Sequence, residues 1–179
     1  MGQGTSRTYD RLVILRRTNE LLAVIVRGLA AELAPVPDAE DWYANLLWFD
    51  RRKCLLLTHS PTLFSIFEAN ASAPGLRAVG PLVTGLIERE LACESLPCAV
   101  FAGLEKGEVI LAKTADRSVL GCMNDMGFLR QNAIAGSGGP MCTDLVALNR
   151  SLRRNINSAR NYQPPIELAA RRLEGSDRW

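Results

Sequence analysis

The sequence predicts a single α+β domain, in which an antiparallel β-sheet centred on a hairpin over residues 42–59 is packed by several α-helices. The hairpin is predicted because two apolar runs meet at a short basic centre, Arg51-Arg52-Lys53. These charged side chains stay at a turn because burying them without partners costs a large desolvation free energy. Other segments repeat apolar residues every three or four positions, which is typical of helices that pack through one face.

Length and composition favour one domain. The chain has 179 residues, of which 47% are hydrophobic, enough to build one substantial core. We expect a disordered lead over 1–8, the domain over 9–173 and a frayed tail over 174–179. The net charge of +2 comes from 21 basic and 19 acidic residues. This balance argues against a general polyanion binder, so a nucleic-acid role would depend on local patches.

The first elements are a strand and a helix. Residues 11–17 have an apolar middle between basic ends and predict the first strand. Thr18 or Asn19 can cap a helix over 20–33, where large apolar residues recur at four-residue intervals. The prolines that follow end this helix.

The hairpin supplies the next two strands. Trp42, Ala44, Leu46 and Trp48 share one face of the first strand, and we expect the flanking Leu, Trp and Phe side chains to enter the core. Both faces are mostly apolar, which predicts interior strands covered on two sides. Ser60-Pro61 predicts a second turn. Residues 62–67 then form a third strand of the meander, with a helix as the alternative.

The second half alternates helices with one short strand. Pro74-Gly75 predicts a break, Gly80-Pro81 the start of a helix, and 108–113 a strand. Thr114 or Asp116 is expected to open the next helix.

A glycine-containing loop is predicted over 133–140. Residues 143–157 predict an amphipathic helix whose arginines, Arg150, Arg153 and Arg154, point away from its apolar side. Residues 166–173 form a last short segment.

Cysteine and histidine usage predicts no metal site and no cofactor. The five cysteines contain no CxxC pair and most have apolar neighbours, which favours reduced core thiols. The only histidine is His59. No apolar run is long enough for a membrane span and no signal peptide is evident, so we expect a cytoplasmic protein.

The hairpin turn is the first candidate binding site. Arg51 and Arg52 present planar donor forks and Lys53 a mobile charge, all suited to phosphate. The alternative is a solubilising turn in which Asp50 pairs with one arginine.

The second candidate is the start of the helix near residue 116. Helical spacing brings Arg117, Gly121 and Asn124 to neighbouring positions on one face, with Lys113 just before the helix and Thr114 and Asp116 at its start. Such a site could hold an anion or a substrate amide. The alternative is helix capping with a local ion pair.

Two weaker candidates remain. His59 could act as a general base if Asp50 or Asp125 lay behind it, and a strand-end histidine satisfied by the backbone is the alternative. Residues 136–139 share the glycine content of a phosphate-binding loop but lack its lysine and hydroxyl, so we interpret them as a flexible linker.

Two motifs carry a family resemblance. They are W-x-A-N-L-L-x-x-D-R-R-K-C-L-L in the hairpin and A-K-T-x-D-R-S-V-L-G-x-M-N-D-M over 112–126, followed by A-L-N-R-x-L-x-R. Over residues 11–170 the chain resembles an uncharacterised bacterial domain family of unknown function. The resemblance implies a short stand-alone bacterial protein and an association with mobile elements, and it implies no reaction.

Three functional hypotheses follow. The first is a binding module for nucleic acid or a protein partner, which uses the basic hairpin turn and the basic helix start. The alternative is a small hydrolase or transferase with a pocket around Lys113, Arg117 and Asn124, joined by His59 and Asp50. A third is a purely structural or regulatory protein that forms a dimer through the apolar sheet face.

Overall fold

The fold is given by a computed structural model that describes residues 13–18, 21, 40–101, 103–104 and 109–176, with the side chains of 174–176 excepted. Its strands are β1 (Val13–Arg17), β2 (Trp42–Phe49), β3 (Arg52–His59), β4 (Ser65–Glu68) and β5 (Val109–Lys113). They form one sheet in the order β4-β3-β2-β1-β5. The predicted hairpin is therefore confirmed, and β2 is the central strand.

The helices are α1 (Ala73–Arg77), α2 (Val79–Cys93), α3 (Arg117–Gly136), α4 (Leu145–Arg154) and α5 (Pro165–Ser176). Short 3-10 turns occupy Cys98–Val100 and Ser158–Arg160. The predicted start of α2 near Gly80 is confirmed. The break predicted at Pro74-Gly75 is instead the short helix α1, because Ser72 caps its first turn by accepting a hydrogen bond from the Gly75 amide at 3.2 Å.

The sheet is mixed, so the prediction of an antiparallel sheet was only partly right. The meander β2-β3-β4 is antiparallel, as its short turns require. β1, however, is parallel both to β2 and to β5. A parallel pair needs a long crossover, and the connections from β1 to β2 (residues 18–41) and from β1 to β5 (residues 18–108) are both long enough. Pairing between segments so distant in sequence leaves no local signal.

Side chains alternate between two core layers, which confirms that the central strands are covered on both faces. Trp42 and Leu46 face α2, whereas Tyr43 and Leu47 face α3. The predicted helix over 20–33 lies outside the described residues except for Leu21, which is helical and buried against the α2 side. The predicted lead over 1–8 also lies outside them, and α5 runs into the predicted tail as far as Ser176.

The expected loop over 133–140 begins later than predicted. Helix α3 continues to Gly136, and the Gly139 amide then donates to the Ile134 carbonyl at 2.9 Å, which closes the helix end. Gly138 and Gly139 have φ values of 87° and 103°, a region that glycine adopts without steric cost. The glycines therefore terminate a helix and do not form a free linker.

The cysteine prediction holds for two residues. Cys54 and Cys122 are buried, whereas Cys93, Cys98 and Cys142 are exposed, and all five are free thiols. Burial raises the pKa of Cys54 to about 11. Among the helices that the structure describes, none is both long and apolar enough to cross a membrane.

Helix α4 joins the edge of the sheet and α2 through polar contacts. Asn149 donates to the Phe67 carbonyl at 3.1 Å and accepts from the Phe67 amide at 2.7 Å, in the manner of an additional strand beside β4. Arg153, predicted to point outward, is fully buried and donates to Glu90 and Glu94 at 2.8 Å each. The prediction failed because an arginine side chain is long enough to reach carboxylates on another helix.

Candidate functional site

The turn between β2 and β3 is a two-residue turn with an uncommon backbone. Phe49 pairs with Arg52, which leaves Asp50 and Arg51 as the central residues, with φ values of 49° and 62°. Positive φ at both positions defines a type I′ turn, which matches the twist of a hairpin. Asparagine, aspartate and glycine are the residues that usually fill it.

Arg51 is therefore held in a conformation that costs free energy. A non-glycine residue in the left-handed region loses about 1–2 kcal/mol relative to its ordinary conformation. Aspartate is among the residues that tolerate this region, but arginine has no such advantage. Strained positions of this kind cluster at functional sites. If the residue at position 51 only had to connect two strands, glycine would do so without this cost.

The basic residues of the turn form no ion pair with any residue that the structure describes. Arg51 and Arg52 are exposed and Lys53 is partly exposed. The Asp50 carboxylate, the expected partner, points elsewhere: its Oδ2 atom lies 2.6 Å from where a Cβ on Gly139 would be. The turn thus presents three uncompensated positive charges beside a carboxylate that packs on the end of α3.

An exposed tryptophan lies beside these charges, and sequence reasoning had placed it in the core. Trp48 is 57% exposed, whereas Leu46, on the same face two residues earlier, is 4% exposed. Trp48 pairs with Lys53 in the sheet register, and the Lys53 Nζ lies 5.6 Å from the centroid of its ring. We name residues 48–53 the hairpin tip. The signal that could have identified Trp48 is its position just before the turn, beyond the reach of α2.

The second predicted site is occupied by internal contacts. Asp116 caps α3, and its carboxylate accepts from the amides of Ser118 at 2.7 Å and Val119 at 3.3 Å. The Asp116 amide in turn donates to the Tyr43 hydroxyl at 3.0 Å. The helix capping that was predicted as the alternative is therefore present, and these amides are not available to an external anion.

The remaining residues of this site are arranged along α3. Arg117 and Asn124 are both exposed on α3, Lys113 is exposed at the end of β5, and Thr114 is half-buried. An enzyme pocket around Lys113, Arg117 and Asn124 stays a prediction.

The two basic regions lie at opposite ends of α3. The helix begins beside Tyr43, at the start of β2, and its C-terminal loop reaches Asp50, just beyond the end of β2. A helix of 20 residues is about 30 Å long. The hairpin tip and the helix start therefore do not combine into one binding site.

His59 lies on the other face of the sheet and is completely buried. Its ring contacts Trp42 and Phe101, with centroid distances of 5.1 and 4.4 Å. Its Nδ1 atom lies 2.9 Å from the Thr62 hydroxyl, and its Nε2 atom lies 3.7 Å from a Glu40 oxygen, too far for a hydrogen bond. The hydrogen-bond partner of the His59 ring is thus a side-chain hydroxyl and not the backbone group that was expected.

Burial lowers the pKa of His59 to about 4, so the ring is neutral near pH 7. The pKa of Glu40 is also lowered, first because the polar His59 Nε2 atom lies near its carboxylate and further because Arg172 forms an ion pair with it. The acids that sequence reasoning considered lie elsewhere. Asp50 is at the hairpin tip, and Asp125 lines a groove on the α3 face. Neither stands behind His59.

A groove between α3, α4 and the start of α5 is a further concave feature. Its volume is about 60 Å³, far below the several hundred Å³ typical of small-molecule sites. Its walls are mainly apolar, with Met126, Leu129 and Ile156 among them. Within the described part of the chain, no three histidine, cysteine or acidic side chains are close enough to hold a metal ion.

Comparison with known proteins adds one match. A family model described as Domain of unknown function (DUF6933) matches residues 14–168. No curated protein and no solved structure matches the chain.

Proposed function

Because the chain belongs to the DUF6933 family, a domain family of unknown function, we propose its function from its geometry: it binds nucleic acid through the hairpin tip. The observation that carries this proposal is the set of three basic side chains, Arg51, Arg52 and Lys53, that no described carboxylate neutralises. Phosphate is the ligand that arginine forks and a lysine ammonium bind most readily.

The backbone of the tip supports the same proposal. The β2-β3 ladder continues to the Phe49–Arg52 pair, so the turn is fixed by hydrogen bonds up to its central two residues. Asp50 further packs against Gly139 at the end of α3. A preorganised turn loses little conformational entropy on binding, so the charges are presented at low cost. This proposal also gives a reason for the strained arginine at position 51, since glycine, which suits the turn better, would remove one of the three positive charges.

Charge arithmetic sets the expected salt dependence. If each basic residue of the tip contacts one phosphate, the logarithm of the binding constant should fall with the logarithm of salt concentration with a slope of about −2 to −3. The overall charge of +2 adds only a weak general field, so the local contacts dominate. Binding is expected in the micromolar range or weaker at physiological salt.

Fluorescence anisotropy with labelled single- and double-stranded DNA and RNA tests the proposal, over 50 to 200 mM salt. The triple variant Arg51→Ala/Arg52→Ala/Lys53→Ala should lose binding and the salt slope. A matched control removes three exposed arginines elsewhere: Arg77→Ala, Arg150→Ala and Arg171→Ala. It should bind like the wild type.

Three outcomes would overturn the proposal. They are absence of binding to all four nucleic acids, equal losses in the two triple variants, and binding without salt dependence. In the first case, a protein partner recognised by the same tip becomes the better explanation.

A further inference from the structure

We propose that the hairpin tip selects unpaired strands, because Trp48 offers a surface on which an exposed base can stack. This inference rests on the proposed function and names the class of nucleic acid that the tip prefers. Its starting observation is that a large aromatic side chain is 57% exposed next to three basic residues. Aromatic rings interleaved with basic side chains are the usual means by which proteins bind single strands.

Trp48 makes only a limited contribution to the core. Leu46 precedes it on the same face of β2 and is almost completely buried, which places the edge of the core between these two positions. Packing alone therefore does not require an aromatic residue at position 48. Tryptophan and arginine are the residues most enriched where proteins bind a partner.

Neighbouring strands leave one side of Trp48 open. On the β3 side, the Lys53 ammonium lies 5.6 Å from the centroid of the indole ring and gives a cation–π contact that favours one orientation of the ring. On the other side, β1 ends at Arg17, which pairs with Ala44. The strand thus stops well short of position 48, and no described strand borders Trp48 on that side. A base can approach from there.

The spacing suits a base beside its phosphate. Trp48 and the turn are two to three residues apart, which corresponds to about 7–10 Å along the strand. A base stacked on Trp48 therefore has its own or an adjacent phosphate within reach of Arg51 or Arg52. In a duplex the bases are stacked on one another, and their faces are exposed only after costly unstacking. The tip should accordingly prefer single strands.

The test compares Trp48→Leu with Trp48→Phe, and uses Phe128→Leu as the control at another exposed aromatic residue. Loss of base stacking should weaken binding of single-stranded DNA and RNA by about 5- to 150-fold in the leucine variant. Affinity for duplexes and the salt slope should stay within twofold of the wild type. The phenylalanine variant should recover most of the affinity, and Phe128→Leu should behave like the wild type.

Equal affinity losses for single strands and duplexes, or no loss in Trp48→Leu, would overturn the stacking role. The proposed function is tested separately, because binding that disappears in the Arg51, Arg52 and Lys53 triple variant would still support it. Intrinsic fluorescence gives a second readout. The chain has three tryptophans, so the comparison is made in a Trp179→Phe background, where buried Trp42 is the only other one. If the base stacks on Trp48, quenching by a single strand should fall in the Trp48→Phe variant. Undiminished quenching in that variant would contradict the inference.

Discussion

Replacing Arg51 with glycine should separate the folding cost of the hairpin turn from its function. Relief of the left-handed conformation is worth about 1–2 kcal/mol, and the greater flexibility of an unfolded glycine takes back about 0.5–1 kcal/mol. The difference between the midpoints of these two ranges is a net gain of about 0.75 kcal/mol in the free energy of unfolding. For a domain of this size that gain raises Tm by about 1–4 °C.

Arg52→Gly is the matched control, since it removes the same charge from the neighbouring position. Arg52 lies in β3, where glycine weakens an extended strand by about 0.5–1 kcal/mol. Its Tm should fall. Both variants should lose one phosphate contact, which reduces the salt slope of nucleic-acid binding by about 0.7–0.9.

Thermal unfolding followed by circular dichroism, together with anisotropy titrations at several salt concentrations, provides the comparison. A lower Tm for Arg51→Gly would refute the argument from the positive φ of Arg51. A higher Tm with unchanged binding would support the argument from backbone strain but would show that Arg51 does not contact the nucleic acid.

Two further predictions concern buried charge. The folded-state pKa of His59 is about 4 against an ordinary 6.5, so only the unfolded chain takes up its proton as the pH falls below 6.5. Stability should therefore decrease by about 1 kcal/mol between pH 7 and 5.5, before carboxylates titrate, and denaturant unfolding of His59→Gln should show no such decrease. Arg153→Ala should cost about 3–5 kcal/mol, because it leaves the buried carboxylates of Glu90 and Glu94 without the one partner that is itself fully buried. Arg154→Ala, which removes an exposed partner of Glu94, should cost about 1 kcal/mol or less, and similar losses in both variants would contradict the role of burial.

Local patterns in the sequence predicted local structure. The alternating apolar runs over 42–59 predicted the β2-β3 hairpin, and Asp116 was correctly placed at the start of a helix. Both depend on residues close together in the chain. The type I′ turn was not predictable in the same way, since Asp50-Arg51 lacks the glycine that usually marks it.

Features that depend on distant contacts were missed. The parallel pairing of β1 is set by crossovers and not by the strand sequence. Helical periodicity predicted that Arg153 points outward. It could not show that the partners of Arg153, Glu90 and Glu94, lie in and just after α2, about 60 positions earlier in the chain. Strand alternation likewise placed Trp48 with Leu46, although the core ends between them. At the candidate site, the charged residues were predicted, whereas the exposure of Trp48 was missed although its position just before the turn indicates it.

The parallel pairing of β1 with β5 has a consequence for synthesis on the ribosome. Val13 pairs with Val109, which is 96 positions later in the chain. At a translation rate of about 5–20 residues per second, the partner strand emerges about 5–20 s after β1 does. The β2-β3-β4 meander can pair during this interval, but the edge of β1 that pairs with β5 stays without its hydrogen-bond partner. A chain that stalls before residue 109 should therefore expose this edge and recruit chaperones or aggregate.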